Sequence, residues 1–378
     1  MDTPLHHRSS ERQAIKARLL AGVSLLMLAP RRIGKTWLMG KIEEDMVAAG
    51  WRCIRIDVEG CDTEEEFLRE LCAKIEEQQQ LKKRVWSHIS QRLKQASVDG
   101  VGDGLLQSIG RVNHHEFLET LVDALNREEG RTLILIDEIA LLVLELAKKN
   151  PDASRNLLYH LRKLQQSYPN VIWYFTGSIG LDVIARRFQM SGALLGVDVI
   201  PLDPFSPAQA GSFLNELVVK SMVQSPFSLP PEALDALVTE LGWLSPYYLR
   251  QLAQVLVATG PVINGRPSAT AENIEAAFDA LLSPRYRSYF AAWEEHIDKN
   301  FETADSTRLH AILDTLCAHP TGEKESTIAA AIALQTGEGK LREHLRDLES
   351  DGYLVRKGDR WAFRSGLLRR FWLEYKKP

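Results

Sequence analysis

Gly22-Val23-Ser24-Leu25-Leu26-Met27-Leu28-Ala29-Pro30-Arg31-Arg32-Ile33-Gly34-Lys35-Thr36-Trp37 is the stretch that decides the fold. Its first half, Gly22–Ala29, is a short and nearly continuous apolar run bounded by turn residues, which predicts a strand buried on both faces. Helical sequence runs from Lys35 to about Ala49 and stops at Gly50. Pro30 to Thr36 therefore join a strand to a helix, the setting that a phosphate-binding loop requires. In such a loop the backbone N–H groups and the helix N-terminus face an anion. Lys35 would reach the β- and γ-phosphates of a nucleotide, and the Thr36 hydroxyl would ligate Mg²⁺. The candidate binding set is Pro30, Arg31, Arg32, Ile33, Gly34, Lys35, Thr36 and Trp37. The consensus G-x-x-x-x-G-K-[ST] asks for glycine at position 29, where this chain has Ala29. A positive φ there would be disfavoured for alanine. Arg31 and Arg32 both lie close enough to approach a phosphate or an adjacent acid, and nothing in the sequence separates them.

A second apolar stretch, Arg131-Thr132-Leu133-Ile134-Leu135-Ile136-Asp137-Glu138, predicts a buried strand ending in two acids, the Walker B pattern. Asp137 would hold the Mg²⁺ shell and Glu138 would polarise an attacking water. Acids often end strands merely because the chain has reached solvent, and a Gly-Lys-Thr can open a helix by chance. The two together on separate strands imply nucleotide binding with Mg²⁺. Val171–Ser178 is a further strand, and its end brings Thr176 and Ser178 to the carboxyl edge of the sheet. Either can sense the γ-phosphate or cap the next helix. Trp51–Val58 and Val197–Leu202 complete five strands. Strands alternating with helices predict an α/β core with a parallel sheet.

Outside that frame the organisation changes. Thr63 and Glu66 form a capping box that opens a helix with Phe67, Leu71 and Ile75 on one face. Residues 76–115 read as a surface insertion, polar and helical at first and then glycine-rich. After Asp203-Pro204-Phe205-Ser206-Pro207 the strands stop, and residues 207–282 read as entirely helical. A second break falls at Ser283-Pro284, followed by three helices and a hairpin. The expected division is a core at 1–206, a helical lid at 207–283 and a winged helix at 284–378. In the last, Arg308–Cys317, Glu325–Ala333 and Lys340–Ser350 are the helices. Tyr353–Arg356 pairs with Arg360–Arg364 across Lys357-Gly358-Asp359. Leu341, Leu345 and Leu348 form the buried face of the third helix, with Arg342 and Arg346 directed elsewhere. Trp361, Phe363, Phe371, Trp372 and Tyr375 are assigned to the packing of the wing and its contact to the preceding helices.

The succession Pro-Arg-Arg-x-Gly-Lys-Thr, Leu-Ile-Asp-Glu, Phe-Thr-Gly-Ser-Ile-Gly and Gly-Trp-Leu-Ser-Pro resembles the archaeal-type ATPases, P-loop NTPases close to the STAND and AAA+ groups. The resemblance covers most of the first 280 residues; Ala29 departs from it. It implies a sheet in which the sensor strand separates the Walker A and Walker B strands, with a helical lid after the core. It also implies that Pro246 is an adenine contact and Arg250 a second sensor, although Ser245-Pro246 also suits an ordinary helix start. Arg186 and Arg187 lie where related oligomeric ATPases carry an arginine finger for a neighbouring subunit. Two arginines on a helix are also commonly solvated or salt-bridged.

The chain has 378 residues, 45% of them hydrophobic and 25% charged, with a net charge of −4, so no global basic field draws it onto nucleic acid or lipid. Its positive charge is local: residues 340–378 hold eleven Lys and Arg against six Asp and Glu. The four cysteines, Cys53, Cys61, Cys72 and Cys317, have neither metal-ligand nor disulfide spacing. His6-His7 and His114-His115 lack acid or Cys neighbours at ligand spacing and read as surface residues. No run is long enough to span a membrane and the start lacks a signal-peptide core, so a cytoplasmic protein is expected. The leading expectation is a Mg²⁺-dependent ATPase switch, turning over slowly, whose nucleotide state controls the winged helix and its assembly with itself or a protein partner. Two alternatives stand beside it. One is a DNA-binding regulator using the basic wing and tail; the other is an adaptor, in a mobile-element or defence system, that recruits a partner through residues 76–115.

Overall fold

The computed structural model describes residues 8–95, 106, 109–177, 180–217, 228–336 and 340–376. Two compact units divide the chain. One comprises residues 8–29 and 35–202; the other comprises residues 203–378 with Pro30–Gly34.

The first unit is built on five strands: β1 (Leu25–Leu28), β2 (Arg52–Asp57), β3 (Thr132–Asp137), β4 (Val171–Gly177) and β5 (Asp198–Pro201). All neighbours are parallel and the order is β2-β3-β4-β1-β5. Thus β4 lies between β1 and β3, the arrangement the resemblance implied. Every residue of β3 and β4 is buried, as a sheet covered on both faces demands. The helices are α1 (Ser9–Leu20), α2 (Lys35–Ala48), α3 (Glu64–Glu77), α4 (Gln79–Gln95), α5 (His114–Asn126), α6 (Ile139–Lys149), α7 (Pro151–Ser167) and the short α8 (Leu181–Arg187). Thr63 caps α3 by accepting the Glu66 N–H at 3.2 Å, while the Glu66 carboxylate returns to the Asp62 N–H.

Two sequence expectations change here. Residues 76–115 are not a surface insertion throughout, because α4 buries Leu81, Val85 and Ile89 in the main hydrophobic cluster with Phe67, Leu71 and Leu121. These residues recur at four-residue spacing in a polar helix, a narrow stripe that average composition conceals. His88 on α4 bonds Asp123 on α5 at 3.0 Å. The glycine-rich segment 96–105 lies outside the described residues. His115 is also not a bare surface residue: its Nε2 lies 3.2 Å from Glu64 and its ring 4.7 Å from that of His160. The partners are distant in sequence, so spacing could not reveal them.

The second unit carries α9 (Pro207–Leu217), α10 (Pro231–Leu241), α11 (Pro246–Thr259), α12 (Ala271–Leu282), α13 (Ala291–Asn300), α14 (Thr303–Cys317), α15 (Glu325–Thr336), α16 (Leu341–Ser350) and α17 (Gly366–Tyr375). Residues 207–282 are not entirely helical. A hairpin of β6 (Val262–Ile263) and β7 (Arg266–Pro267) turns through Asn264 and Gly265, both at positive φ. A three-stranded sheet, ordered β8-β10-β9, joins β8 (Glu323–Lys324) to the hairpin of β9 (Leu354–Lys357) and β10 (Arg360–Phe363). Residues 366–375 form α17, whose aromatics meet the preceding helical segments. Phe371 stacks on Phe290 at 4.5 Å, and the Trp372 indole donates to Asp314 at 2.8 Å. Arg342 pairs with Glu325 on α15 at 3.0 Å.

Candidate functional site

Lys35 and Thr36 open α2 directly after the loop, and Asp137 ends β3. The two meet because parallel strands end at a common carboxyl edge. The Thr36 hydroxyl donates to Asp137 Oδ2 at 2.7 Å. The Thr176 hydroxyl, near the end of β4, donates to Asp137 Oδ1, which also accepts the Glu138 N–H at 3.1 Å. Asp137 is 3% exposed, so its charge is held by these donors rather than by bulk water. Lys35, 5% exposed, directs its ammonium to the Ala29 carbonyl at 2.9 Å. Glu138 stands at φ 58 as the N-cap of α6 and makes no cap hydrogen bond with its side chain. A non-glycine residue held in the left-handed region marks a place where surrounding structure overrides local preference.

Ala29 is absent from the positive-φ residues of the chain, so the missing leading glycine imposes no backbone strain. The left-handed positions in the loop are Arg32 at φ 69 and Gly34 at φ 97. The conformational burden expected at residue 29 therefore falls three residues later.

The remaining candidates occupy different places. Trp37, in the first turn of α2, is 42% exposed. Arg186 and Arg187 are exposed in the last turn of α8. Ser178 lies outside the described residues. In the other unit, Pro246 occupies N1 of α11 behind the N-cap Ser245, and Arg250 is exposed one turn on. Also there, the Ser245 hydroxyl reaches the Arg32 carbonyl and the Arg32 guanidinium lies over the Tyr247 ring.

Asp57 was not singled out from the sequence, although it ends a strand just as Asp137 does. The β2–β3 register sets it directly beside Asp137. Burial pushes its carboxyl up, the charges of Asp137 and Glu138 push it further, and the Glu59 N–H partly offsets them. Sequence could have flagged it only with the sheet order in hand.

A family profile described as an AAA-like domain matches residues 3–99. No curated protein matches the chain. Among solved structures, a Walker-type ATPase of Pyrococcus abyssi is similar over 96% of this chain and 95% of its own, at 17% identity and a TM-score of 0.66. The ORC2 protein of Aeropyrum pernix, in ADPNP–ADP complexes, is similar over 98% of this chain and 93% of its own, at 13% identity and a TM-score of 0.57. No described helix is long and apolar enough to cross a membrane. The chain thus shares the fold of the Walker-type ATPases to which it is similar, and residues 3–99 match an AAA-like domain.

Proposed function

We propose that the chain binds and hydrolyses ATP and acts as a switch, its nucleotide state governing the C-terminal module and its assembly with itself or a partner. The observation that carries this reading is the convergence of Thr36 and Thr176 on the two oxygens of the buried Asp137. The donor set suits Mg²⁺, a hard cation that keeps several waters and takes one or two protein oxygens plus substrate phosphates. Among the described residues no cluster of three or more His, Cys, Asp or Glu side chains could hold a metal alone, so the phosphates would complete the shell. Bound there, Mg²⁺ would neutralise charge on the β- and γ-phosphates. Thr36 would ligate the cation directly and Asp137 would orient its shell. Lys35 would exchange the Ala29 carbonyl for phosphate oxygens. Glu138 would orient a water and accept its proton, and Thr176 would hold Asp137 while facing the γ-phosphate. The adenine nucleotides in the related ORC2 complexes support ATP as the ligand. Arg186 or Arg187 would act in trans as a finger, Pro246 would meet the base and Arg250 would sense the nucleotide.

The succession α14, β8, α15, α16, β9 and β10 supports a winged helix at the C-terminus, within a division at 206 and 283. Arg342, Arg346, Arg356 and Lys357 are exposed on α16 and the hairpin, whereas the last three arginines favour an internal role over duplex DNA. Arg364 donates to the Glu349 and Leu354 carbonyls, Arg369 to the Cys317 carbonyl, and Arg370 to Glu240 and Asp279.

The test is calorimetric binding of Mg²⁺–ATP with phosphate release. Lys35→Ala is expected to lose binding and turnover, and Glu138→Gln to retain ATP while losing turnover. Wild-type behaviour of Lys35→Ala would overturn the assignment.

A further inference from the structure

We infer that Ser245 and Tyr247 are positioning residues for the phosphate loop, fixing the left-handed backbone of Arg32. The inference rests on the ATP-site reading above. Pro30–Gly34 belong to the same compact unit as residues 203–378, so the loop's tip is held by chain more than two hundred residues away.

Arg32 carries a φ of 69, a conformation that residues with side chains rarely adopt. Two contacts hold it there. The Ser245 hydroxyl donates to the Arg32 carbonyl at 2.5 Å, and the Arg32 guanidinium lies 4.0 Å from the centre of the Tyr247 ring, a cation–π distance. Ser245 is fully buried and stands at the N-cap of α11, where a serine ordinarily accepts an N–H of its own helix. Here it makes no cap bond, and its hydroxyl is committed to the loop instead. On the loop's other side, Gly352 seats against Pro30: a Cβ added there would lie 2.6 Å from Pro30 Cβ.

The chemical consequence concerns the amides that follow Arg32. Successive right- and left-handed residues turn backbone N–H groups into one concavity that receives an anion. Were Arg32 to relax to the ordinary helical region, the N–H groups of Ile33 and Gly34 would turn away from that concavity. Ser245 and Tyr247 thus act on a nucleotide through the loop without touching it.

The experiment measures Mg²⁺–ATP binding by calorimetry on the full chain. Ser245→Ala should bind roughly tenfold more weakly, the worth of one buried hydrogen bond. Tyr247→Leu should weaken binding as well, and Tyr247→Phe, which keeps the ring face, should restore it. In an Arg32→Gly background the left-handed conformation no longer needs enforcing, so Ser245→Ala should then change affinity by less than about threefold. A merely structural role would give the same loss in both backgrounds and overturn the inference. Wild-type affinity for Ser245→Ala and Tyr247→Leu alongside lost binding in Lys35→Ala would also overturn it, leaving the ATP site intact. Wild-type affinity in Lys35→Ala would remove both. Should Ser245→Ala fail to fold, the half-buried Tyr247 pair decides.

Discussion

At the scale of single residues the site is governed by where charge and backbone strain are placed. Asp137 is buried and accepts from two hydroxyls and an N–H, whereas its neighbour Asp57 has one backbone donor among the bonds above and faces two other acids. A carboxyl whose value is raised on folding binds its proton more tightly in the folded state. Its contribution to stability is therefore full at low pH and is lost as pH climbs from the unfolded carboxylate value, about 3.9, through the raised one. Asp57→Asn is accordingly expected to melt a few degrees higher than wild type above that window without Mg²⁺, and at the same temperature below it. Thermal melts across the acid range check this, and a variant that melts lower at neutral pH would contradict it. The same scale explains why Ala29 is tolerated: the loop places its positive φ at Arg32 and Gly34 instead.

Among the elements, α4 shows how a polar helix can be part of a core. Leu81, Val85 and Ile89 lie on one stripe and are 3%, 0% and 0% exposed. Removing three carbons from a fully buried isoleucine leaves a cavity and loses transfer energy, so Ile89→Ala should cost about 2–5 kcal/mol in urea unfolding. On a surface insertion the same change would cost almost nothing. The contact is reinforced by Asp123, which bonds His88 and Arg127. Burial alone would push its carboxyl up, but these two partners hold it below its usual value.

For the whole molecule, the decisive fact is where the C-terminal charge goes. The sequence shows a basic edge of eleven cations against six acids over residues 340–378. In the fold part of it, at Arg364, Arg369 and Arg370, is engaged within the protein: Arg370 on α17 ties to Glu240 on α10 and Asp279 on α12, at 2.7 and 3.4 Å. Because Arg370 is only 22% exposed and bridges two other helices, Arg370→Ala should lower stability by about 0.5–1 kcal/mol. Any binding to duplex DNA at low salt should be unchanged, which unfolding curves and salt-titrated binding on the full chain would show. A selective loss of DNA affinity would instead assign this arginine to phosphate contact.

The sequence by itself determined the parallel α/β core, the strand-loop-helix that carries Lys35 and Thr36, and the acids at the end of β3. Each is written in local pattern: apolar runs of strand length, a glycine before a lysine at a helix start, a capping box at Thr63. It also located Thr176 at a strand end, but not its hydrogen bond to Asp137, because that bond depends on the order β3-β4-β1. What only tertiary structure decided depends on residues far apart in the chain. Asp57 joins the acids through the β2–β3 register, α4 enters the core through contacts across the helical layer, and Arg32 is held by Ser245 and Tyr247. Local pattern records what a segment prefers, whereas strain, burial and shared charge arise only when distant segments are brought to one place.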